Sequence, residues 1–115
     1  MERTFGQALQ ALRRDAGISQ RDLATRVGVD FSYISKVEND RLPPPSADTI
    51  VKICEELNVA TDELLALTRK MPSDIKEKLS SSPAAQHFIR QAQTMNLTDQ
   101  EWHSLTKSMK RLRGR

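Results

Sequence analysis

Apolar residues recur three and four positions apart along most of this chain, the period of a helix with one buried face. Residues suited to turns close each run. The first run predicts a helix from about Thr4 to Asp15, with Phe5, Leu9 and Leu12 facing inward and Gly17 beyond its end. Ser19 is placed to cap a second helix, with Asp22 three residues on to complete a capping box. Leu23, Ala24 and Val27 form its inner face, and Gly28 ends it where a left-handed backbone is needed. Asp30 is placed to cap a third helix, whose Ile34 and Val37 point inward. The run Pro43-Pro44-Pro45 lacks amide donors and interrupts the pattern. Ser46 then offers a cap for a fourth helix with Ile50, Ile53, Cys54 and Leu57 inside. After a turn at Asn58-Val59, Ala60 or Thr61 opens a fifth with Leu64, Leu65 and Leu67.

From Lys70 the character changes. Breaks at Met71-Pro72-Ser73 and at Ser80-Ser81-Ser82-Pro83 flank a short amphipathic helix carrying Ile75 and Leu79. Ser82 as cap and Pro83 at the first helical position start the next helix, which presents Ala85, Phe88, Ile89, Ala92 and Met95. A turn at Met95-Asn96-Leu97 leads to Thr98, which with Glu101 forms another capping box. The last helix shows Trp102, Leu105, Met109 and Leu112 at spacings of three and four. This stripe is too large for so short a segment to bury alone. It can fold back on the fifth helix, meet a second copy of itself, or bind a different protein. The pattern divides the chain into residues 1–70, a linker with a short helix at 71–82, and a helical module at 83–115.

At 115 residues and 37% hydrophobic, with aromatics at 4%, the core must rest on Leu, Ile, Val and Ala. The chain opens Met-Glu-Arg-Thr without an apolar signal core, and no long apolar run follows, so a cytoplasmic protein with no membrane association is expected. Cys54 lies in a helical apolar stripe and reads as a small core residue. His87 and His103 have no companion ligand at metal spacing, and no nucleophile and base are grouped. No metal, cofactor or enzymatic activity is expected. The net charge of +3 is uneven: residues 1–70 carry ten Lys and Arg against eleven Asp and Glu, while residues 71–115 carry eight against four. Any basic surface on the first part must come from gathering Arg13, Arg14, Arg21, Arg26, Lys36 and Arg41 on one face.

Two short helices around a tight glycine turn form the geometry that carries a second helix into the DNA major groove. The stretches FGQALQALRRDAG at 5–17, ISQRDLA at 18–24, GVDFSYISKVEND at 28–40 and LNVATDELL at 57–65 resemble the Xre/Cro helix-turn-helix family, the fold of the lambdoid phage repressors. Asp40 stands where that family usually has Gly after Glu-Asn. The resemblance implies an all-α, five-helix lambda-repressor-like domain that binds double-stranded DNA. It also implies that Phe31, Ser32, Tyr33 and Lys36 face the groove, with Ser32 and Lys36 toward base edges and Phe31 toward a thymine methyl. Gln20 matches the family's phosphate-clamping position, and Asn39 and Arg41 match later backbone contacts. Arg21 and Arg26 are further phosphate partners.

The second part resembles repressors paired with ImmA/IrrE-type zinc metallopeptidases, nearest in length and layout to the CapH repressors of CBASS anti-phage operons. That resemblance implies a homodimeric repressor of its own operon on a palindromic operator. It would be inactivated when a partner metallopeptidase cuts the C-terminal module in an anti-phage or DNA-damage response. Dimerisation is then expected through Phe88, Ile89, Ala92, Trp102, Leu105, Met109 and Leu112. Cleavage is expected in the turn Thr94-Met95-Asn96-Leu97, where a cut splits the stripe. The alternative is an antitoxin that binds DNA and a toxin. The basic tail, Lys107, Lys110, Arg111, Arg113 and Arg115, reads as complementing a helix dipole.

Overall fold

The structure, a computed structural model, describes residues 3–114, so Arg115 of the basic tail lies outside the described residues. It is all α-helical there: α1 (Phe5–Asp15), α2 (Gln20–Val27), α3 (Phe31–Glu38), α4 (Ala47–Leu57), α5 (Asp62–Thr68), α6 (Ser73–Ser81), α7 (Pro83–Met95) and α8 (Asp99–Arg111). The chain divides into two compact units, residues 1–76 and 77–115, with the boundary inside α6.

In the first unit α1 packs on α3 and α5, α2 on α3 and α4, and α4 on α5. Every one of these helices sends its apolar stripe to a common centre. Leu9, Leu23, Ile34, Val37, Ile50, Ile53, Cys54 and Leu64 are fully buried there. Each such aliphatic side chain contributes about 1.5–3 kcal/mol on leaving water, so short helices that are marginal alone become stable together. Burial pushes the Cys54 thiol pKa up, as expected for a core cysteine with no anion-stabilising neighbour. Leu67, expected inside, is 43% exposed, because the stripe of α5 runs past the surface that α1 and α4 cover.

Local chemistry fixes where the helices begin and end. Thr4 and Gln7 form a reciprocal capping box on α1, and Ser19 and Ser46 accept from the amides of Asp22 and Thr49. Two expected caps are not made. Asp22 turns its carboxylate to Arg26 (3.1 Å), one helical turn on, instead of back to the Ser19 amide. Asp30 occupies the N-cap position of α3 but makes no side-chain capping bond. Gly28 ends α2 at φ 78°, and the amides of Gly28 and Val29 close on the carbonyls of Thr25 and Ala24.

The end of α3 departs from a glycine turn. Asp40 takes φ 58° and closes the same bonded pattern, its amide on Val37 and that of Arg41 on Lys36. Its carboxylate reaches the start of α1, accepting from the Thr4 hydroxyl at 2.7 Å and the Gly6 amide at 3.1 Å. Short polar side chains tolerate the left-handed region better than most, and this one gains two bonds by being there. Gly6 is required by the same crossing: a methyl group on it would lie 2.5 Å from the carbonyl oxygens of Val37 and Glu38.

The first unit continues past residue 70 because the chain is tied back to α4 and to the proline segment before it. The Lys70 ammonium donates to the carbonyls of Pro44 (3.3 Å) and Pro45 (3.0 Å). Ser73 donates its amide and hydroxyl to the Asp48 carboxylate at 3.0 and 2.8 Å, which holds that carboxyl below its ordinary pKa.

The second unit is a helical hairpin. Ser82 caps α7 with Pro83 at its first position, and Thr98 and Glu101 form the capping box of α8. Among its described residues Ala92 alone is a buried hydrophobic. Phe88, Ile89, Met95, Trp102, Leu105, Met109 and Leu112 are all exposed by a third or more of their surface. Lys110 and Arg111 lie in the last turn of α8, where cations complement the helix dipole.

Candidate nucleic-acid interface

Helix α3 has two faces with separate work. Ile34, Val37 and Glu38 are buried against the rest of the unit, while Phe31, Ser32 and Lys36 stand outside. Ser32 and Lys36 are four residues apart, so they lie one turn apart on a single edge. Tyr33, expected to face the groove, is half-buried and packs on the core cluster. That packing covers part of the apolar area of its ring.

The inner face is locked by charge as well as by packing. Glu38 receives Arg13 Nε at 2.6 Å and Nη2 at 3.0 Å, a two-point contact between α3 and α1. The third Arg13 donor, Nη1, goes to the carbonyl of Ile18 at 2.9 Å. Arg13 is therefore not part of a basic surface. It is buried, and it fixes α3 on the scaffold. Gln20 Nε2 adds a third bond to Glu38 at 2.9 Å, so three helices meet at one carboxylate. Gln20, the expected phosphate clamp, thus spends one amide hydrogen internally and keeps the other, together with its place in the first turn of α2.

The remaining expected contacts divide by position. Arg21 stands over the Phe31 ring, its guanidinium carbon 4.4 Å from the ring centre. Arg14, Ser19, Gln20, Arg21 and Phe31 line one concavity where the end of α1 and the starts of α2 and α3 converge. Arg14 joins that group although its spacing carries no motif signal; its charge and its place in the last turn of α1 were the available clues. Arg26 lies at the far end of α2 and is engaged by Asp22 at 3.1 Å and Glu56 at 4.0 Å, which offsets its charge. Asn39 folds its amide back on the Ser35 carbonyl at 3.0 Å and finishes α3. Arg41 is exposed just beyond it. The geometry thus gathers Arg14, Gln20, Arg21 and Phe31 around one concavity, leaves Ser32 and Lys36 exposed along α3, and has Arg26 and Tyr33 engaged elsewhere.

In the second unit Phe88, Trp102, Leu105, Met109 and Leu112 line one apolar groove along the hairpin. Ile89 lies outside that groove, and Ala92, 6% exposed, lines a second one with Phe88, Met95, Leu97 and Leu105. Of the turn residues, Thr94 and Met95 are the last of α7. Asn96 takes φ 51° and Leu97 is half-buried, so the non-helical stretch is shorter than the pattern suggested. Among the described residues no group of three or more His, Cys, Asp or Glu is placed to hold a metal, and no helix is long and apolar enough to cross a membrane.

Known proteins match this geometry. A family profile described as Helix-turn-helix covers residues 9–64, from within α1 to α5. The uncharacterised HTH-type transcriptional regulator RghRB of Bacillus subtilis is 29% identical over 90% of this chain and 81% of its own length. The HTH-type transcriptional repressor RghR of the same organism is 36% identical over 54% of this chain, which spans 46% of RghR. Among solved structures, the biofilm master regulator SinR in complex with DNA superposes with a TM-score of 0.51 at 32% identity, covering 54% of this chain and 98% of the chain in that structure. The helix-turn-helix geometry, the family match and these relatives agree: the chain belongs to the Xre/Cro-like helix-turn-helix family of DNA-binding transcriptional regulators.

Proposed function

We propose that this chain is a homodimeric transcriptional repressor that reads a palindromic operator of its own operon and is switched off by proteolysis of its C-terminal hairpin. The observation that carries the reading is the pairing of an outward edge on α3 with an uncovered apolar groove on α7 and α8. Ser32 and Lys36 contact base edges, Gln20, Arg21, Asn39 and Arg41 contact the backbone, and Phe31 meets a thymine methyl. Tyr33 and Arg26 contribute through packing and ion pairing. One head makes few base contacts, and joining two raises apparent affinity by about 10²–10⁴ through effective concentration. Phe88, Ile89, Ala92, Trp102, Leu105, Met109 and Leu112 form the dimer surface. A cut between Thr94 and Leu97 by an ImmA/IrrE-type metallopeptidase separates α7 from α8 and forfeits the gain. That places the protein in an anti-phage or DNA-damage response, acting in the cytoplasm.

The test titrates DNA from upstream of the gene with the full chain and with residues 1–76, the fragment that keeps the Lys70 and Ser73 ties. The reading requires tight binding by the full chain and binding weaker by about 10² or more by the head. Equal binding removes the dimer, and assigns the groove to a toxin or another protein. Substitutions across Thr94–Leu97 that leave sensitivity to the peptidase unchanged remove the cleavage site.

A further inference from the structure

Phe31 is the first residue of α3 and is 38% exposed. An exposed aromatic ring at a helix start has several rotamers available to it, and a reading element needs one. The ring here is covered on one face by Arg21 from the first turn of α2, at 4.4 Å. The described ion pairs of this unit use Arg13 and Arg26, and Arg21 is in none of them. Its guanidinium lies against the ring face, its N–H edge is in none of those ion pairs, and both side chains line the concavity shared with Arg14, Ser19 and Gln20. Stacking leaves that edge intact, since a guanidinium bonds in its plane and stacks across it.

We propose that Arg21 is a positioning residue for base reading: it clamps the Phe31 ring at the leading edge of α3 so that the ring meets a thymine methyl, while its N–H edge bonds the adjoining phosphate. The inference rests on the assignment of α3 to the major groove. It goes further by making one side chain link a sequence-blind contact to a sequence-reading one. Loss of Arg21 then costs discrimination as well as affinity. A role in phosphate binding alone would cost affinity equally on every sequence.

The experiment uses the full chain and a duplex that it selects from a random pool. Each thymine is replaced in turn by deoxyuridine, which removes only the 5-methyl group, and affinity is read by fluorescence anisotropy at two salt concentrations. For the unsubstituted protein, one thymine in each half of the selected site is expected to show a loss of about fourfold, the value of one buried methyl. Arg21→Lys keeps the charge and loses the planar stack, so it should retain the salt dependence and bring that ratio close to one. Phe31→Ala should do the same, and the double variant should add nothing further. Arg21→Lys with an unchanged thymine-to-uracil ratio overturns the proposal. So does Phe31→Ala with an unchanged ratio while Ser32→Ala and Lys36→Ala weaken binding, a result that leaves α3 in the groove. If Ser32→Ala and Lys36→Ala have no effect either, the assignment of α3 fails and the proposal falls with it.

Discussion

Substitutions at Asp40 separate backbone strain from hydrogen bonding at the end of α3. Asp40 sits at φ 58° and accepts from the Thr4 hydroxyl at 2.7 Å and the Gly6 amide at 3.1 Å. Each bond is to a carboxylate, but the residue is exposed, so each contributes about 0.5–1 kcal/mol. Asp40→Gly removes both bonds. It also relieves left-handed strain and raises unfolded-chain entropy, two backbone effects of about 0.4–1 kcal/mol with opposite sign. They nearly cancel, and the variant should lose about 1–2 kcal/mol. Asp40→Ala loses the same bonds and adds strain of about 1 kcal/mol, for a total of about 2–3 kcal/mol. Asp40→Asn keeps the turn and an acceptor for Gly6, and should lose less than about 1 kcal/mol. The assay is urea unfolding of residues 1–76 by far-UV circular dichroism, comparing midpoints at constant slope. The expected order of stability is Asp, Asn, Gly, Ala. A Gly variant as stable as the parent would refute the argument, since the carboxylate would then contribute nothing beyond what glycine's backbone freedom supplies.

The same assay checks Gly6→Ala, whose methyl group would meet two backbone carbonyls at 2.5 Å. Overpacking should cost more than the gain of about 1 kcal/mol in helix propensity, leaving a loss of about 2 kcal/mol. Glu38→Gln strands the buried Arg13 charge and should destabilise by about 3–5 kcal/mol, with part of the loss recovered in Arg13→Met/Glu38→Leu, as a double-mutant cycle would measure. Ser73→Ala should raise the Asp48 pKa toward its ordinary value of 3.8, read by carbon-detected NMR titration of the carboxyl. Because that pKa is depressed in the folded chain, the contact stabilises above the unfolded pKa and fades as pH falls through the folded one. The Ser73 amide bond survives the substitution, so the rise should be partial, and an unchanged titration would show that the hydroxyl contributes nothing to holding the carboxylate.

The helices were legible because a spacing of three and four reports which residues leave water, and Leu9, Leu23, Ile34, Ile50 and Leu64 all do. What the spacing does not report is burial of charge. Arg13 and Glu38 are separated by 25 residues, and only the packing of α1 on α3 makes them partners. Counted from sequence, Arg13 therefore looked like surface charge, and Gln20 looked wholly available to phosphate. Asp40 was visible as a departure from the family pattern, but its compensation lay at Thr4 and Gly6, at the far end of the head. Leu67 erred in the other direction: its apolar character continued a stripe that the neighbouring helices do not reach. The outward edge of α3 was legible through the motif, since exposure at Ser32 and Lys36 leaves no hydrophobic trace of its own.

The two faces of α3 carry a consequence for how such heads diversify. Ile34, Val37 and Glu38 bear the attachment to α1 and α2, whereas Phe31, Ser32 and Lys36 bear almost none of it. If those outer positions read bases, as proposed, changes on them alter the DNA sequence preferred at little expense to folding. A family built on this division can acquire new operators by substitution on one edge while its scaffold stays fixed. The exception in this chain is Phe31, whose ring is tied to Arg21. Here a new preference would have to be acquired at two positions together, which makes this corner of the head slower to drift than the rest of its edge.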